Sequence, residues 1–206
     1  MSRITENEVI LLYKPYKKED PTMSKHTMEM ILEYAKIFPQ NADMGSPTGS
    51  TAAKAVHKKG GQYIVNAYFT SEEQIQELVE AGLNLNPMNS SRIIEGNPEF
   101  GIGKFMKLKR DVKDNLKTFE SKGKETVINY GGPVGVVNLT KGTDNKSWWS
   151  LEEDGLIGNG TRAMVQFEMY ADGSGLRLKN VGITEHVSYE SGSSYNTEAD
   201  EMFKVA

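Results

Sequence analysis

The chain has 206 residues, of which 37% are apolar and 25% charged, with a net charge of -4 and no cysteine. This length suffices for one medium domain with its own core, and the lack of cysteine excludes disulfides, thiol nucleophiles and cysteine metal sites. No segment approaches the roughly 18 apolar residues of a membrane helix, and the apolar run near the N-terminus is too short for a signal peptide. The sequence therefore predicts a cytosolic protein without membrane contact.

The first quarter of the chain predicts one strand, one helix and one loop. Glu8–Lys14 is typical of a short strand, which Pro15 ends. Apolar residues at helical spacing predict a helix over 24–38, with Ser24 as its cap. Residues 40–60 are poor in large apolar side chains and rich in Gly, Ser, Thr and Ala, which predicts a mobile loop. The apolar stripe of the predicted helix comprises Met28, Ile31, Leu32, Ala35 and Phe38.

The middle of the chain predicts a strand, a helix and two further strands. The first strand covers Gly61–Phe69, and two overlapping capping boxes then start a helix that Gly82 terminates. Residues 83–103 are irregular. Lys104–Val112 and Glu125–Asn138 are predicted strands, the second interrupted at Gly-Gly-Pro by a bulge or a corner.

The end of the chain predicts a loop over 140–154, a β-hairpin and a tail. The strands Thr161–Tyr170 and Leu176–Val187 are joined by a short glycine-rich turn. Beyond Tyr189 few core-forming residues remain, which predicts a disordered tail. Five or more short strands with one or two helices predict a mainly β protein, a small Greek-key barrel rather than a βαβ sheet.

Charge is unevenly distributed along the chain. Phe100–Tyr130 contains eight basic and four acidic residues, a local charge of +4. Glu185–Ala206 contains five acidic residues and one lysine, a local charge of -4. A basic centre followed by an acidic end either indicates nucleic-acid binding or is ordinary surface charge.

Alternation places an apolar face opposite a basic face in three strands. The predicted inner residues are Met106, Leu108, Val112, Ala163, Val165, Phe167, Met169, Leu176 and Leu178. The predicted outer residues include Phe105, Lys107, Lys109, Arg162, Tyr170, Arg177 and Lys179. Such an outer face suits a binder of single-stranded nucleic acid, because cations neutralise phosphates and aromatic rings stack on bases. The alternative is that the cations only solvate an antiparallel sheet while the rings lie under a loop.

The final hairpin carries a family likeness. Gly155–Val165 contains an Ile-Gly-x-Gly-Thr-Arg turn that enters a strand ending in an aromatic residue, and Gly175–Ile183 contains a Gly-Leu-x-Leu strand. These segments resemble the closing hairpin of the single-stranded-DNA-binding replication proteins of short-tailed phages. Gly61–Val65 with its capped helix is similar to an earlier strand–helix step of that family. The likeness covers less than half of the chain.

The resemblance implies an OB-fold, a five-stranded Greek-key barrel, over residues 1–188, with the helix and flexible loop of 24–60 as an insertion. It implies a protein without enzymatic activity or cofactor that coats and protects single-stranded DNA in phage replication, recombination and repair. The location implied is the cytoplasm of the infected bacterial host. The implied partners are single-stranded DNA, a second copy in a homodimer and, through a mildly acidic disordered tail at 189–206, the phage DNA polymerase and helicase.

The DNA-binding residues expected from the outer faces and the resemblance include five basic residues on the hairpin and on Lys104–Val112. Trp149 is ambiguous, because its ring or that of Trp148 either stacks on a base or plugs the barrel. The expected set is Phe105, Lys107, Lys109, Trp149, Arg162, Tyr170, Arg177 and Lys179.

Two other classes of protein remain open from the sequence. A β-rich phage structural or adaptor protein would lack nucleic-acid affinity and show a large apolar patch instead. A nuclease on the same kind of barrel would need clustered carboxylates for a metal, and the scattered acids form no clear triad. His26, His57 and His186 also lack metal-ligand spacing.

Overall fold

The computed structural model describes residues 23–89, 92–121 and 124–189. The predicted strand Glu8–Lys14 and all of the predicted tail but Tyr189 lie outside these residues. The described chain forms ten strands and two helices. They are β1 (Ser24–Lys36), α1 (Thr51–Lys59), β2 (Gln62–Phe69), α2 (Glu72–Glu80), β3 (Ile93–Glu95), β4 (Lys104–Asp111), β5 (Leu116–Ser121), β6 (Lys124–Asn129), β7 (Gly135–Asn138), β8 (Ser147–Trp148), β9 (Thr161–Tyr170) and β10 (Gly175–Glu185).

The segment predicted as a helix over 24–38 is instead the long strand β1, so that prediction is wrong. β1 is a central strand, paired antiparallel with both β2 and β9. Met30 and Leu32 face the main core, whereas Ile31 on the opposite face packs in a second apolar cluster. A strand buried on both faces lacks polar alternation, and its apolar run then resembles a helical stripe by spacing.

The segment 40–60, predicted as the flexible loop of the insertion, contains the helix α1. The prediction of a loop is therefore wrong over the residues of this helix. α1 has no buried residue, so it offers no apolar stripe to detect. Its ends do carry recognisable signals. The Ser50 hydroxyl accepts a hydrogen bond from the Ala53 N–H at 3.3 Å, and Gly60 ends the helix in the left-handed conformation at φ 84°.

The strand and the capped helix predicted over 61–82 are confirmed as β2 and α2. Ser71 is the N-cap residue of α2, and the Gln74 side chain accepts a hydrogen bond from the Thr70 N–H at 2.8 Å. Leu78 is fully buried, and Ile75 packs against the same core. The helix therefore covers one end of the core, as its apolar stripe predicts.

The apolar faces predicted for the later strands are confirmed. Eight of the nine predicted inner residues are buried, and Val112 packs against them half-buried. These side chains form one core with those of β1 and β2. Burying such side chains contributes roughly 1.5–3 kcal/mol each before the entropy cost of folding, so the core holds the strands that carry the outer faces.

The prediction of a mainly β chain with one or two helices is confirmed, and the sheet is larger than predicted. The main sheet has eight strands in the order β3-β4-β2-β1-β9-β10-β7-β8, and β5 and β6 form a separate two-stranded sheet. A closed five-stranded barrel is not shown. Both described helices have nine residues, and neither has the length and apolar character to cross a membrane.

Candidate nucleic-acid interface

A groove of about 820 Å³ runs along the outer face of β4. One side is formed by Lys107 and Lys109 of β4, and the other by Tyr170 and Arg177 of the β9–β10 hairpin. The end of α1, the segment before β3 and the base of the β5–β6 hairpin complete it. We call this feature the basic groove.

The basic groove concentrates positive charge. Among the described residues that line it, seven are Lys or Arg and one, Asp111, is acidic. Asp111 is already engaged, since it accepts a hydrogen bond from Asn115 at 2.7 Å and lies 4.0 Å from the Lys59 ammonium. The excess of cations gives the groove a strongly positive potential. The seven are Lys59, Arg92, Lys107, Lys109, Arg110, Lys117 and Arg177.

Lys109 shows the mutual repulsion of these cations. Partial burial lowers the pKa of its ammonium, and the neighbouring Lys107 lowers that pKa further. Asp43 acts in the opposite direction, while Lys59 and Arg92 add to the lowering. In the described part of the chain neither Lys107 nor Lys109 forms an ion pair. Like charges held together without neutralisation favour the binding of an anion.

Arg177 and Lys179 both contact the carboxylate of Glu168, and Arg177, which is predicted on an outer face, is buried. The Arg177 guanidinium forms an ion pair with it in which both side chains are about 95% buried, and the Lys179 ammonium lies 3.6 Å from it. Burial lowers the pKa of Lys179, and Glu168 opposes that change. The structure brings Arg177 to the groove, where its side chain is enclosed, and Lys179 does not line it.

Arg162 lies away from the basic groove, on the exposed face of β9. Its guanidinium is 3.8 Å from Glu29 and 3.4 Å from Glu185. The three basic residues predicted on the closing hairpin are therefore each matched by an acid from β1, β9 or β10.

Phe105 is predicted to face outward and lies on the predicted face, but its ring is buried. It packs with Tyr68 at a centroid distance of 5.0 Å and with Ile31, under the partly buried Ile94 and Phe100. Its position matches the alternative expectation, in which the ring lies under a loop and does not stack on a base. Phe105 therefore adds packing beside the groove and does not line it.

The two tryptophans differ in exposure. Trp149 is buried in the main core, donates its indole N–H to the Gly155 carbonyl at 2.9 Å and meets the His186 ring edge-on. Trp148, on the edge strand β8, is 76% exposed. Neither ring lines the basic groove.

Two tyrosines line the groove opposite the lysines of β4. The rings of Tyr130 and Tyr170 meet edge to face at a centroid distance of 5.5 Å. Tyr170 lies against β10 because Gly175 has no side chain, since a Cβ there would approach the Tyr170 ring to 2.4 Å. Half-buried rings at the wall of a positive groove are suited to stacking on nucleic-acid bases.

The structure thus brings together Lys107, Lys109, Tyr170 and Arg177 from the predicted site. Sequence reasoning missed five other basic or aromatic residues of the lining. Three of them lie in 100–130, the segment with a local charge of +4, but the predicted outer face of β4 comprises only Phe105, Lys107 and Lys109 and leaves out Arg110. Lys59 lies in the helix that was predicted as a loop. The five are Lys59, Arg92, Arg110, Lys117 and Tyr130.

Comparison with known proteins adds no relative. No protein-family model matches the chain, and no curated protein matches it either. Within residues 23–89, 92–121 and 124–189, no three His, Asp or Glu side chains gather where they could hold a metal ion.

Proposed function

We propose that this chain is a single-stranded-DNA-binding protein without enzymatic activity. It coats and protects single strands in phage replication and recombination, largely independent of sequence. The observation that carries the proposal is the basic groove, with seven cations to one acid and two tyrosines on its wall. Cations that neutralise phosphates and rings that stack on bases are the two parts of sequence-independent single-strand binding.

We also propose that β1, β2, β4, β9 and β10 correspond to the five strands of an OB-fold. In the sheet these strands are neighbours in the order β4-β2-β1-β9-β10. OB-folds are partly open barrels that bind oligonucleotides on strands 2 and 3 and on the loops between strands 1 and 2 and strands 4 and 5. In this chain those elements correspond to β2, β4, the segment with Lys59 and the turn with Ala171. All four contribute to the groove.

The partners follow from the same proposal. Single-stranded DNA is the ligand, and a second copy of the chain, the phage DNA polymerase and the helicase remain proposed partners. The proposed contact with the replication enzymes uses the acidic C-terminal segment, most of which lies outside the described residues. The proposed location is the cytoplasm of the infected bacterium.

The test is a titration of labelled oligothymidylate and of a matched duplex, between about 50 and 200 mM salt. We expect the single strand to bind more tightly than the duplex. The logarithm of the binding constant should fall with the logarithm of the salt concentration, by about 0.7 for each neutralised phosphate. Absence of binding at the lowest salt would refute the proposal. Equal affinity for the duplex would remove the preference for single strands, and a flat salt response would remove the phosphate contacts.

Alkaline pH should weaken binding through Lys109. The pKa of Lys109 is lowered in the free protein, so its positive charge is present below that pKa and is lost at a lower pH than for an ordinary lysine. The contribution of Lys109 to affinity should disappear over the same range. Lys109→Arg should retain affinity there, because a guanidinium stays protonated. Oligothymidylate titrations at constant ionic strength across alkaline pH measure this, and identical pH profiles for the two proteins would contradict it.

A further inference from the structure

A two-stranded hairpin outside the main sheet forms one wall of the basic groove. β5 and β6 pair from Leu116 opposite Asn129 to Ser121 opposite Lys124. Lys117 of β5 and Tyr130, directly after β6, both line the groove. A two-stranded hairpin is marginally stable by itself, so its orientation depends on what holds its base.

Arg110 of β4 holds the segment that leaves the hairpin. Its Nε donates to the Gly132 carbonyl at 2.8 Å and its Nη2 to the Gly131 carbonyl at 2.6 Å. Its Nη1 reaches the carbonyl of Leu178 on β10 at 3.4 Å. One guanidinium therefore joins the base of the hairpin to both β4 and β10.

Arg177 of β10 holds the same segment two residues earlier. Its Nη1 donates to the Asn129 carbonyl at 2.7 Å, and its guanidinium lies 4.5 Å from the centre of the Tyr130 ring. Its Nη2 is bound to Glu168, and the side chain is only 4% exposed. An arginine enclosed in this way has little surface left for a phosphate in the groove.

The backbone of the held segment is closely packed against the chain that enters the hairpin. A Cβ at Gly131 would lie 1.8 Å from the Lys113 carbonyl oxygen, so the chain passes directly against residue 113. The Asn129 side chain accepts hydrogen bonds from the N–H groups of Asn115 and Gly131, at 3.0 and 2.9 Å. The two ends of the hairpin therefore pack directly against each other at its base. The two arginines connect this base to the main sheet.

We propose that Arg110 and Arg177 are positioning residues that fix the β5–β6 hairpin and Tyr130 as a wall of the basic groove. Their effect on DNA affinity rests on the proposed function, whereas their effect on the hairpin does not. Phosphate neutralisation belongs to the groove lysines, whose ammonium groups make no such carbonyl contacts within the described part of the chain. These are Lys59, Lys107, Lys109 and Lys117.

Lysine in place of either arginine separates the two roles. It keeps the positive charge, but a single ammonium group cannot reproduce the planar fork that reaches several carbonyls at once. Arg177→Lys also leaves a cation beside Glu168, so the buried carboxylate keeps an oppositely charged neighbour. If these side chains act by charge alone, both substitutions should change little.

The experiment compares Arg110→Lys, Arg177→Lys and the control Lys107→Gln in two measurements. Hydrogen exchange of the DNA-free protein should become faster over residues 111–133 in both arginine variants and stay unchanged in β9. Their affinity for oligothymidylate should fall about tenfold, the equivalent of one or two hydrogen bonds, with the salt dependence unchanged. The control should keep the exchange pattern and lose about 0.7 from the salt slope.

Each other outcome overturns a stated part of the proposal. Unchanged exchange over 111–133 in both variants would refute the positioning role. A reduced salt slope would make the arginines phosphate contacts instead. Faster exchange with unchanged affinity would remove the link between the hairpin and binding. If the unmodified protein binds no DNA, the proposed function fails, and the exchange data still decide whether the arginines hold the hairpin.

Discussion

Lys107→Glu combined with Lys109→Glu is expected to weaken binding of oligothymidylate about a hundredfold at moderate salt, equally for all base sequences. Both lysines lie on β4 at the side of the basic groove. In the part of the chain that the structure describes, no acid forms an ion pair with either of them. On the proposed function, their replacement removes two contacts with phosphates and adds two charges that repel DNA. The salt slope should fall by about 1.4, which is about 0.7 for each lost contact with a single strand.

The matched control is Lys141→Glu combined with Lys146→Glu. It changes the net charge by the same amount, and both residues are exposed in the loop before β8, outside the groove lining. We expect this variant to bind nearly as the unmodified protein does, because distant surface charges are screened by salt. Equal losses in both double variants would mean that net charge, rather than the groove, governs affinity. Unchanged affinity in the first would remove Lys107 and Lys109 from the site.

Arg177→Met is expected to lower the free energy of unfolding by about 3–5 kcal/mol, because it leaves a buried carboxylate without its main partner. Glu168 has a side chain that is 5% exposed, and after the substitution the Lys179 ammonium, 3.6 Å away, is its one ion-pair partner among the described residues. The variant also loses the hydrogen bond to the Asn129 carbonyl and the contact with the Tyr130 ring. Urea denaturation measures the loss.

Two controls separate the ion pair from general loss of packing. Lys179→Met removes the more exposed cation beside the same carboxylate, and we expect it to cost less than about 1 kcal/mol. Glu168→Met combined with Arg177→Met replaces the pair by apolar side chains of similar length. It should recover most of the stability, because buried pairs exchanged for apolar groups are often nearly neutral. A loss below about 1 kcal/mol for Arg177→Met alone would contradict the interpretation, and a coupling energy near zero would show that the two residues act independently.

The hairpin β9–β10, the strand β2 and the helix α2 were predictable because their signals are local. In β9 the buried residues alternate with Arg162, Gln166 and other outward side chains, so the period of two is visible in the sequence. For α2, the capping residues and Gly82 mark both ends. In these elements each residue's environment is set by neighbours within a few positions.

β1 and α1 were mispredicted for opposite reasons. β1 is buried on both faces, since Met30 faces the main core and Ile31 the second cluster, so alternation is lost. α1 buries nothing, so it has no apolar stripe. Periodicity reports an element only when one face is buried and the other is not.

The mainly β class, the apolar faces of the strands and the concentration of positive charge in 100–130 can be read from local patterns in the sequence. Which of these cations form ion pairs depends on the tertiary structure. Arg162 lies beside Glu29 and Glu185, and Lys179 lies beside Glu168, and each of these acids comes from a different strand than the cation that it contacts. Lys107 and Lys109 form no ion pair within the described residues, although Asp43 is near enough to raise the pKa of Lys109. Charge pairing and burial depend on neighbouring strands that are far apart in the chain. Alternation can therefore assign a side chain to one face of a strand. It cannot say whether that face is neutralised by acids, covered by other residues or open to a ligand.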